Sequence, residues 1–276
     1  MILPKIGCWY CSTETQDHNL NKYSALKIKT DTISKYLKKD SYSPKKFFSV
    51  SRIIATTFKP IIIEIKSEEE HKNINTCNFI WKQLTANHFD RNSLLINLGG
   101  GVIGDMGGFA ASTYKRGIDF IQIPTTLLAM ADASVGGKSG IDFSGLKNQV
   151  GLFKNPKSVL IYPDLLKTLG ENQVNSGFAE IVKHALIADA NLWDQLKETS
   201  FSEVNWKDVI IRSVQLKNKI ILEDPFEKNA RKQLNFGHTF GHAIESYYLA
   251  KGTPILHGEA VFLGVILELE LSNISR

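Results

Sequence analysis

A chain of 276 residues, 43% hydrophobic and carrying a net charge of +5 at pH 7, can form one large or two ordinary domains around a packed core. No run of about 18 apolar residues marks a membrane-spanning helix, and the opening MILPKIGCWYCSTETQD lacks the basic region and apolar stretch of a secretory signal, so a cytoplasmic chain is expected. Lysines are spread out or sit in short clusters such as SKYLKKD and SPKKFF, a solvated-surface pattern that does not imply nucleic acid but welcomes anionic small molecules. The three cysteines, Cys8, Cys11 and Cys77, suggest no disulfide framework, and the Cys8-x-x-Cys11 pair has no second Cys or His pair nearby to complete a zinc site.

Residues 1–60 are polar and lysine-rich, with strand candidates at RIIATTF and, at their end, KPIIIEIK. Helical spacing at Phe79, Ile80 and Leu84 predicts a helix in NTCNFIWKQLTAN, SLLINL reads as a buried strand, and GDMGGFAASTYKRG returns to helix. IDFIQIP and SVLIYP are the next strands. This alternation predicts a parallel sheet with helices on both faces. After about residue 168 strand candidates thin out, and SGFAEIVKHALIADANLWDQLKE, WKDVIIRSVQLKNKIILE, HTFGHAIESYYLAK and GEAVFLGVILELEL all read as helix. The expected organisation is α/β followed by all-α: a Rossmann-like parallel-sheet domain over 1–168 and a helical domain over 169–276. The last helical pattern has no visible partner, so residues are expected to be missing.

In LLINLGGGVIGDMGGF, Gly99, Gly101 and Gly104 form a G-x-G-x-x-G directly after a strand and before a helix. That is the context a phosphate cradle requires, because glycines admit close backbone approach and a helix N-terminus favours an anion. The acidic residue expected about 20 positions on would be Asp119, which opens the next strand instead of ending it, so a plain tight turn is the competing reading. A second glycine-rich stretch, IPTTLLAMADASVGGKSGID, places Thr125 and Thr126 at a strand end, where they can reach a ligand in the crevice of an open sheet. Lys138, Lys147 and Asn148, in company with a buried-looking Asp132, would hold an anion such as phosphate; singly, each lysine reads as surface.

His238 and His242 lie four apart in a helical pattern and share one face. Thr, Phe and Gly stand between them where a zinc protease would carry its glutamate, so zinc proteolysis is not expected. His257 opens HGEAVFLG, and Glu180 sits one turn before Lys183 in FAEIVKHAL. A glutamate with two histidines and an open position suits a catalytic divalent site such as zinc. Spacing alone does not choose which two histidines, and histidines satisfied within a helical core are the alternative.

GGGVIGDMGGFAASTYKRGIDFIQIPTTLLAMADASVGGKSGID, GLKNQVGLF, SGFAEIVKHALI, LNFGHTFGHAIE and HGEAV, in this order and spacing, resemble 3-dehydroquinate synthases of the sugar-phosphate cyclase family. The match runs from about Lys66 to about Leu269. The resemblance implies an NAD-binding first domain, a metal- and substrate-binding second domain, and Glu180, His238 and His257 as ligands of Zn2+ or Co2+, leaving His242 for proton transfer. It implies Gly99, Gly100, Gly101, Gly104, Asp105, Thr125, Thr126, Lys138, Lys147 and Thr168 around the dinucleotide or the adjoining substrate. SEEEHK, resembling the family's adenosine-side loop, adds Glu69 and Lys72. Arg116, Asp132, Lys138, Asn148, Lys183, Lys217, Glu227, Arg231 and Asn235 match positions lining the substrate site. A homodimer is implied as well, with Arg116 reaching the neighbouring site.

The implied reaction, a step of aromatic amino acid biosynthesis, turns 3-deoxy-D-arabino-heptulosonate 7-phosphate into 3-dehydroquinate and phosphate. A hydroxyl is transiently oxidised by NAD, phosphate is eliminated, the ketone is reduced back and an internal aldol closes the ring. Lys138, Lys147, Asn148 and Arg116 would hold phosphate, and Lys217 with the planar fork of Arg231 the carboxylate. The family's early strand has no clear counterpart before Lys66, and its later helices would lie beyond Arg276. Glu68 replaces the glycine of the adenosine loop, TLGENQ replaces Thr-Leu-Pro-x-Arg-Glu, and Ala230 precedes Arg231. A related cyclase of the deoxy-inosose or valiolone type, a glycerol-type dehydrogenase, and an inactive truncated remnant are the alternatives.

Overall fold

A computed structural model of the chain describes residues 5–8, 61–66 and 69–274. The strand candidate RIIATTF, Cys11 and Glu68 lie outside the described residues. Strands β1 (Lys5–Cys8), β2 (Leu94–Gly99), β3 (Asp119–Pro124) and β6 (Ser158–Ile161) form a parallel sheet in the order β1-β6-β3-β2. Helix α1 (Ile74–Ala86) precedes β2, and α2 (Gly101–Thr113) makes the crossover from β2 to β3. Asn73 starts α1 by accepting from the backbone N–H groups of Asn75 and Thr76, the N-cap geometry that satisfies donors left over at a helix start.

Side chains alternate along β3, and the alternation separates two layers. Phe120 packs with Ile80 and Leu84 of α1 and Ala110 and Ala111 of α2. Ile121 and Ile123 face the other way, into a cluster with Met130, Ile181, Val209 and Val214. The latter three belong to α3 (Glu171–Ala188) and α5 (Trp206–Glu223), so one core cluster runs from the sheet into the helices that follow it. Between these helices lies α4 (Ala190–Glu198), and α6 (His238–Ala250) and α7 (His257–Ile274) complete the chain.

Two expectations need correction, and one element was not foreseen. The single helical pattern over residues 176–198 breaks at Asp189, whose carboxylate caps α4 through the Leu192 N–H and holds Arg212 at 2.8 Å. Of KPIIIEIK, residues 61–66 pair with no described strand; Ile63 and Ile65 instead lie against the α1–α2 cluster. The glycine-rich stretch after β3, read only for its ligand groups, folds into an antiparallel hairpin of β4 (Lys138–Phe143) and β5 (Leu146–Phe153). Ser144 and Gly145 turn it with φ of 51° and 77°, a pair of left-handed residues that suits the twist of a two-residue hairpin. Cys77 is buried, and burial pushes its thiol up to about 11, so it stays protonated and inert.

Two glycines set how closely the helices approach. A Cβ on Gly177 would overlap the backbone of Leu128, and one on Gly258 would overlap the Ser176 carbonyl. The first presses α3 onto the segment leaving β3, and the second presses α7 onto α3. Overpacking at such a contact displaces backbone, so Gly177→Ala should cost about 1–3 kcal/mol. Urea unfolding checks this: the midpoint should fall at unchanged slope, and an unmoved midpoint would refute the close-packing account.

Candidate functional site

Register puts the ends of β2 and β3 side by side, with Gly99 opposite Pro124. The Thr125 N–H donates to the Gly99 carbonyl at 2.9 Å, which draws Thr125 and Thr126 up to the glycine turn. Gly100 caps α2 without a side chain, leaving the first-turn N–H groups of the helix facing the crevice at the carboxyl ends of the strands. A Cβ on Gly100 would come within 3.1 Å of the Thr126 methyl, so the turn has room for glycine and little else. The Thr168 hydroxyl donates to the Leu165 carbonyl at 3.3 Å.

A chain of charges leaves this crevice. Buried Lys72 reaches Asp105 at 2.7 Å and donates to the Asn148 side chain at 2.6 Å. Burial pushes the Asp105 carboxyl up, and the Lys72 ammonium offsets only part of that. Lys147, on the same hairpin strand as Asn148, lies 3.6 Å from Glu69 and 2.6 Å from Glu245 of α6.

Glu245 in turn lies 3.4 Å from Nδ1 of His257, at the start of α7. Here three imidazoles gather, with ring centroids 5.3–5.8 Å apart for His238, His242 and His257. Below them Glu180 of α3 is fully buried. Its Oε2 accepts from Lys183 one turn on, while its Oε1 has no hydrogen-bond partner. The Nε2 atoms of His238 and His257 each lie 3.9 Å from that orphaned oxygen. Donors bound tetrahedrally to zinc at about 2.1 Å stand about 3.4 Å apart, so each of these imidazoles need move only a little toward Oε1 to share an ion with it. Ligand atoms of His238, His242 and His257 also lie within 4.8 Å of one another, as do those of Asp132, Glu180 and His184.

The ring orientations fit the same arrangement. The Phe236 carbonyl lies 3.3 Å from Nδ1 of His238, and Glu245 holds the corresponding atom of His257. Each ring can donate from Nδ1 and turn the lone pair of Nε2 toward Glu180. Burial, then the Lys183 ammonium, pushes His238 down to about 4, so its ring is neutral and able to ligate at neutral pH. Burial acts against a charge on His257, but Glu245 and Glu180 raise it overall. His242 is the exposed member of the three.

A second polar cluster borders this one. A short π-type helical turn, Ala129–Ala133, carries Asp132. Lys217 of α5 donates to the Asp132 carboxylate at 2.7 Å and to its carbonyl at 2.9 Å. His184 places Nε2 3.2 Å from the same carboxylate, and its Nδ1 meets Ser213 at 2.7 Å. Asp132 is half-buried, more open than expected. Although burial opposes its charge, Lys217 and Lys183 hold it well below the usual carboxylate range. Burial pushes Lys217 down despite that partner.

The loop before α6 is organised by Asp224, which accepts from the N–H groups of Lys228, Asn229 and Arg231. Arg231 is buried, but its fork is not open as expected: the terminal nitrogens donate to the carbonyls of Pro225 and Gly136 at 2.7 and 3.0 Å. Only Nε is left as an unpaired buried donor. Glu227 accepts from Asn235 at 2.6 Å and pairs with Lys138. These contacts outweigh burial and hold its carboxyl below the usual range. Glu227 and Asn235 also line an open cavity of about 890 Å³. Arg116 departs from the rest. It is exposed beyond the far end of the 13-residue α2, about 20 Å from the glycine turn.

A family model described as 3-dehydroquinate synthase N-terminal matches residues 62–176, and one described as 3-dehydroquinate synthase C-terminal matches residues 177–276. The chain belongs to the 3-dehydroquinate synthase family. It is 43% identical over 270 residues to the 3-dehydroquinate synthase of Parabacteroides distasonis, covering 96% of this chain and 74% of that one. With the enzyme of Prochlorococcus marinus it shares 47% over 231 residues, 79% of this chain and 62% of the other. The chain therefore spans roughly two thirds of the length of these relatives. A crystal structure of 2-deoxy-scyllo-inosose synthase complexed with carbaglucose-6-phosphate, NAD+ and Co2+ superposes with a TM-score of 0.74 at 29% identity, covering 83% of this chain and 65% of that one.

Within this family fold, sequence reasoning missed Glu245, His184 and Ser213. Glu245 lies three residues after His242, on the turn that returns to the same helix face, and that spacing was the available signal. His184 and Ser213 belong to apolar helical patterns, and nothing local marked them.

Removing one partner of a buried ion pair strands the other, at a cost of about 3–5 kcal/mol. Asp132→Ala should lose stability of that order in urea at pH 7, and Asp132→Ala/Lys217→Met should recover most of it. Because the folded Asp132 carboxyl lies below its ordinary 3.8, its contribution is present above that value and lost as pH falls toward the depressed one. Equal losses in the single and double variants would contradict the pairing.

Proposed function

We propose that the chain converts 3-deoxy-D-arabino-heptulosonate 7-phosphate into 3-dehydroquinate and phosphate. The observation carrying this reading is the convergence of Nε2 of His238 and His257 on the unpaired Oε1 of Glu180, in a chain of this family. A divalent metal on those three atoms would polarise a substrate hydroxyl, and NAD at the Gly99–Gly104 turn and Thr125–Thr126 would take up a hydride and return it.

The chain's own groups account for the rest. Lys138, Lys147 and Asn148 hold the substrate phosphate; an ammonium has three donors and can bridge a carboxylate and a phosphate together. Lys217 and Arg231, whose buried Nε is otherwise unpaired, would hold the substrate carboxylate, which a carboxylate-free sugar phosphate would leave unanswered. Glu227 orients Asn235, and His242, at the exposed edge of the histidine group, holds or passes a proton at its ring nitrogen. Glu69, Lys72 and Asp105 secure the dinucleotide side. Elimination of phosphate is bracketed by oxidation and reduction at one carbon, so no NADH accumulates. The division at residue 168 then separates the dinucleotide side from the metal side. The cytoplasmic setting and the homodimer belong to the same reading, and a dimer gives the remote Arg116 a neighbouring site to reach.

Incubating the chain with NAD, Zn2+ and the heptulosonate phosphate should release phosphate without lasting absorbance of NADH. EDTA or His257→Ala should abolish the release. Net NADH formed from a polyol would indicate a dehydrogenase, and turnover of a carboxylate-free sugar phosphate a related cyclase. A folded chain that releases no phosphate would overturn the activity.

A further inference from the structure

Glu245 is a carboxylate buried to 6% exposure inside a group of histidines, and a buried charge persists only where it is paired. Both of its oxygens are used, and on different parts of the fold. Oε2 lies 3.4 Å from Nδ1 of His257, and Oε1 accepts from the ammonium of Lys147 at 2.6 Å. Lys147 belongs to the hairpin strand β5 and lies 3.6 Å from Glu69, beside the Lys72–Asp105 pair.

We propose that Glu245 is a positioning residue that fixes the ring and tautomer of His257 for metal binding and links that ligand, through Lys147, to the β4–β5 hairpin. A neutral imidazole has one donor and one acceptor nitrogen. A carboxylate beside Nδ1 keeps the proton there and turns the lone pair of Nε2 toward Glu180. The matching acceptor for His238 is a backbone carbonyl, that of Phe236, which follows the chain and needs no side chain. His257 opens its helix and has Glu245 for this purpose. Because Lys147 shares the carboxylate, movement of the hairpin reaches the metal ligand through two polar contacts. An anion that draws Lys147 away would also release Oε1 of Glu245.

The inference rests on the metal reading, and the test separates the two. Zn2+ affinity would be measured by chelator competition on the wild-type chain, His238→Ala, Glu245→Gln and Glu245→Ala, with circular dichroism and melting to establish folding. Loss of an outer carboxylate from a ligating histidine weakens binding by about 10–100-fold. Glu245→Gln, which keeps an acceptor oxygen, should lie near the lower figure and Glu245→Ala near the higher, and the visible bands of the Co2+ form should shift in both. Lys147→Met should weaken binding a few-fold in the wild-type background and have no such effect beside Glu245→Ala, since the coupling runs through that carboxylate. Folded Glu245 variants with unchanged Zn2+ affinity, even with lowered melting temperature, would overturn the positioning role while leaving the metal site standing. Equal effects of Lys147→Met in the two backgrounds would overturn the link to the hairpin. A wild-type chain with no more Zn2+ affinity than His238→Ala would overturn both the metal reading and this one.

Discussion

A buried carboxylate with one oxygen paired and the other open is the constraint around which this fold is arranged. Glu180 is fully buried, Lys183 neutralises it from the next turn of the same helix, and Oε1 remains without a hydrogen bond. Leaving such an acceptor unsatisfied is costly, and structure persists around it where a ligand can supply what is missing. The helices are placed accordingly. Gly177 lets α3 lie on the segment leaving β3, Gly258 lets α7 lie on α3, and His238 and His257 then reach the same oxygen from separate helices. Backbone packing therefore sets the spacing of the donors, and the rings are trimmed by the acceptors behind them.

The same logic connects the two halves of the chain. The sheet places the glycine turn and Thr125 at one crevice, but what joins that crevice to the histidines is polar. Lys72, Asp105, Asn148, Lys147, Glu69 and Glu245 form a run of ion pairs and hydrogen bonds from the segment before α1 and from α2 across the hairpin to α6. Alongside it, Asp132 on its π-type turn is held by Lys217 of α5. Each pair joins elements distant in sequence, so ordering the hairpin and ordering the helical half depend on one another. Buried pairs of this kind add little net stability, and their use here is to fix which groups face the crevice.

Much of this was legible before any coordinates. The apolar run SLLINL, the glycine turn and IDFIQIP gave the βαβ unit, because strand and helix periods there are clean and glycine occurs where the chain must turn tightly. The helix over Trp206–Glu223 was legible from its apolar period. The hairpin was not, since β5 is largely exposed and carries no apolar alternation to announce a strand. The break at Asp189 was hidden for another reason: a cap looks like any acidic residue within a helical pattern until Arg212 is seen beside it. At the site, Glu180 and the histidines stood out by residue type and spacing, whereas the proposed choice of His238 and His257 among the three rests on the family resemblance and, in the fold, on the orphaned oxygen. Arg231 was expected as an open fork; that its terminal nitrogens go to Pro225 and Gly136 depends on a loop conformation that only Asp224 and its three N–H donors reveal.

The most direct test of this account is anomalous diffraction from crystals of the chain soaked in Co2+. The account predicts one strong peak within about 2.0–2.2 Å of Glu180 Oε1 and of Nε2 of His238 and His257, with His242 outside bonding distance. A peak held by the three histidines without Glu180, or no ordered cobalt in this pocket at saturating metal, would contradict it.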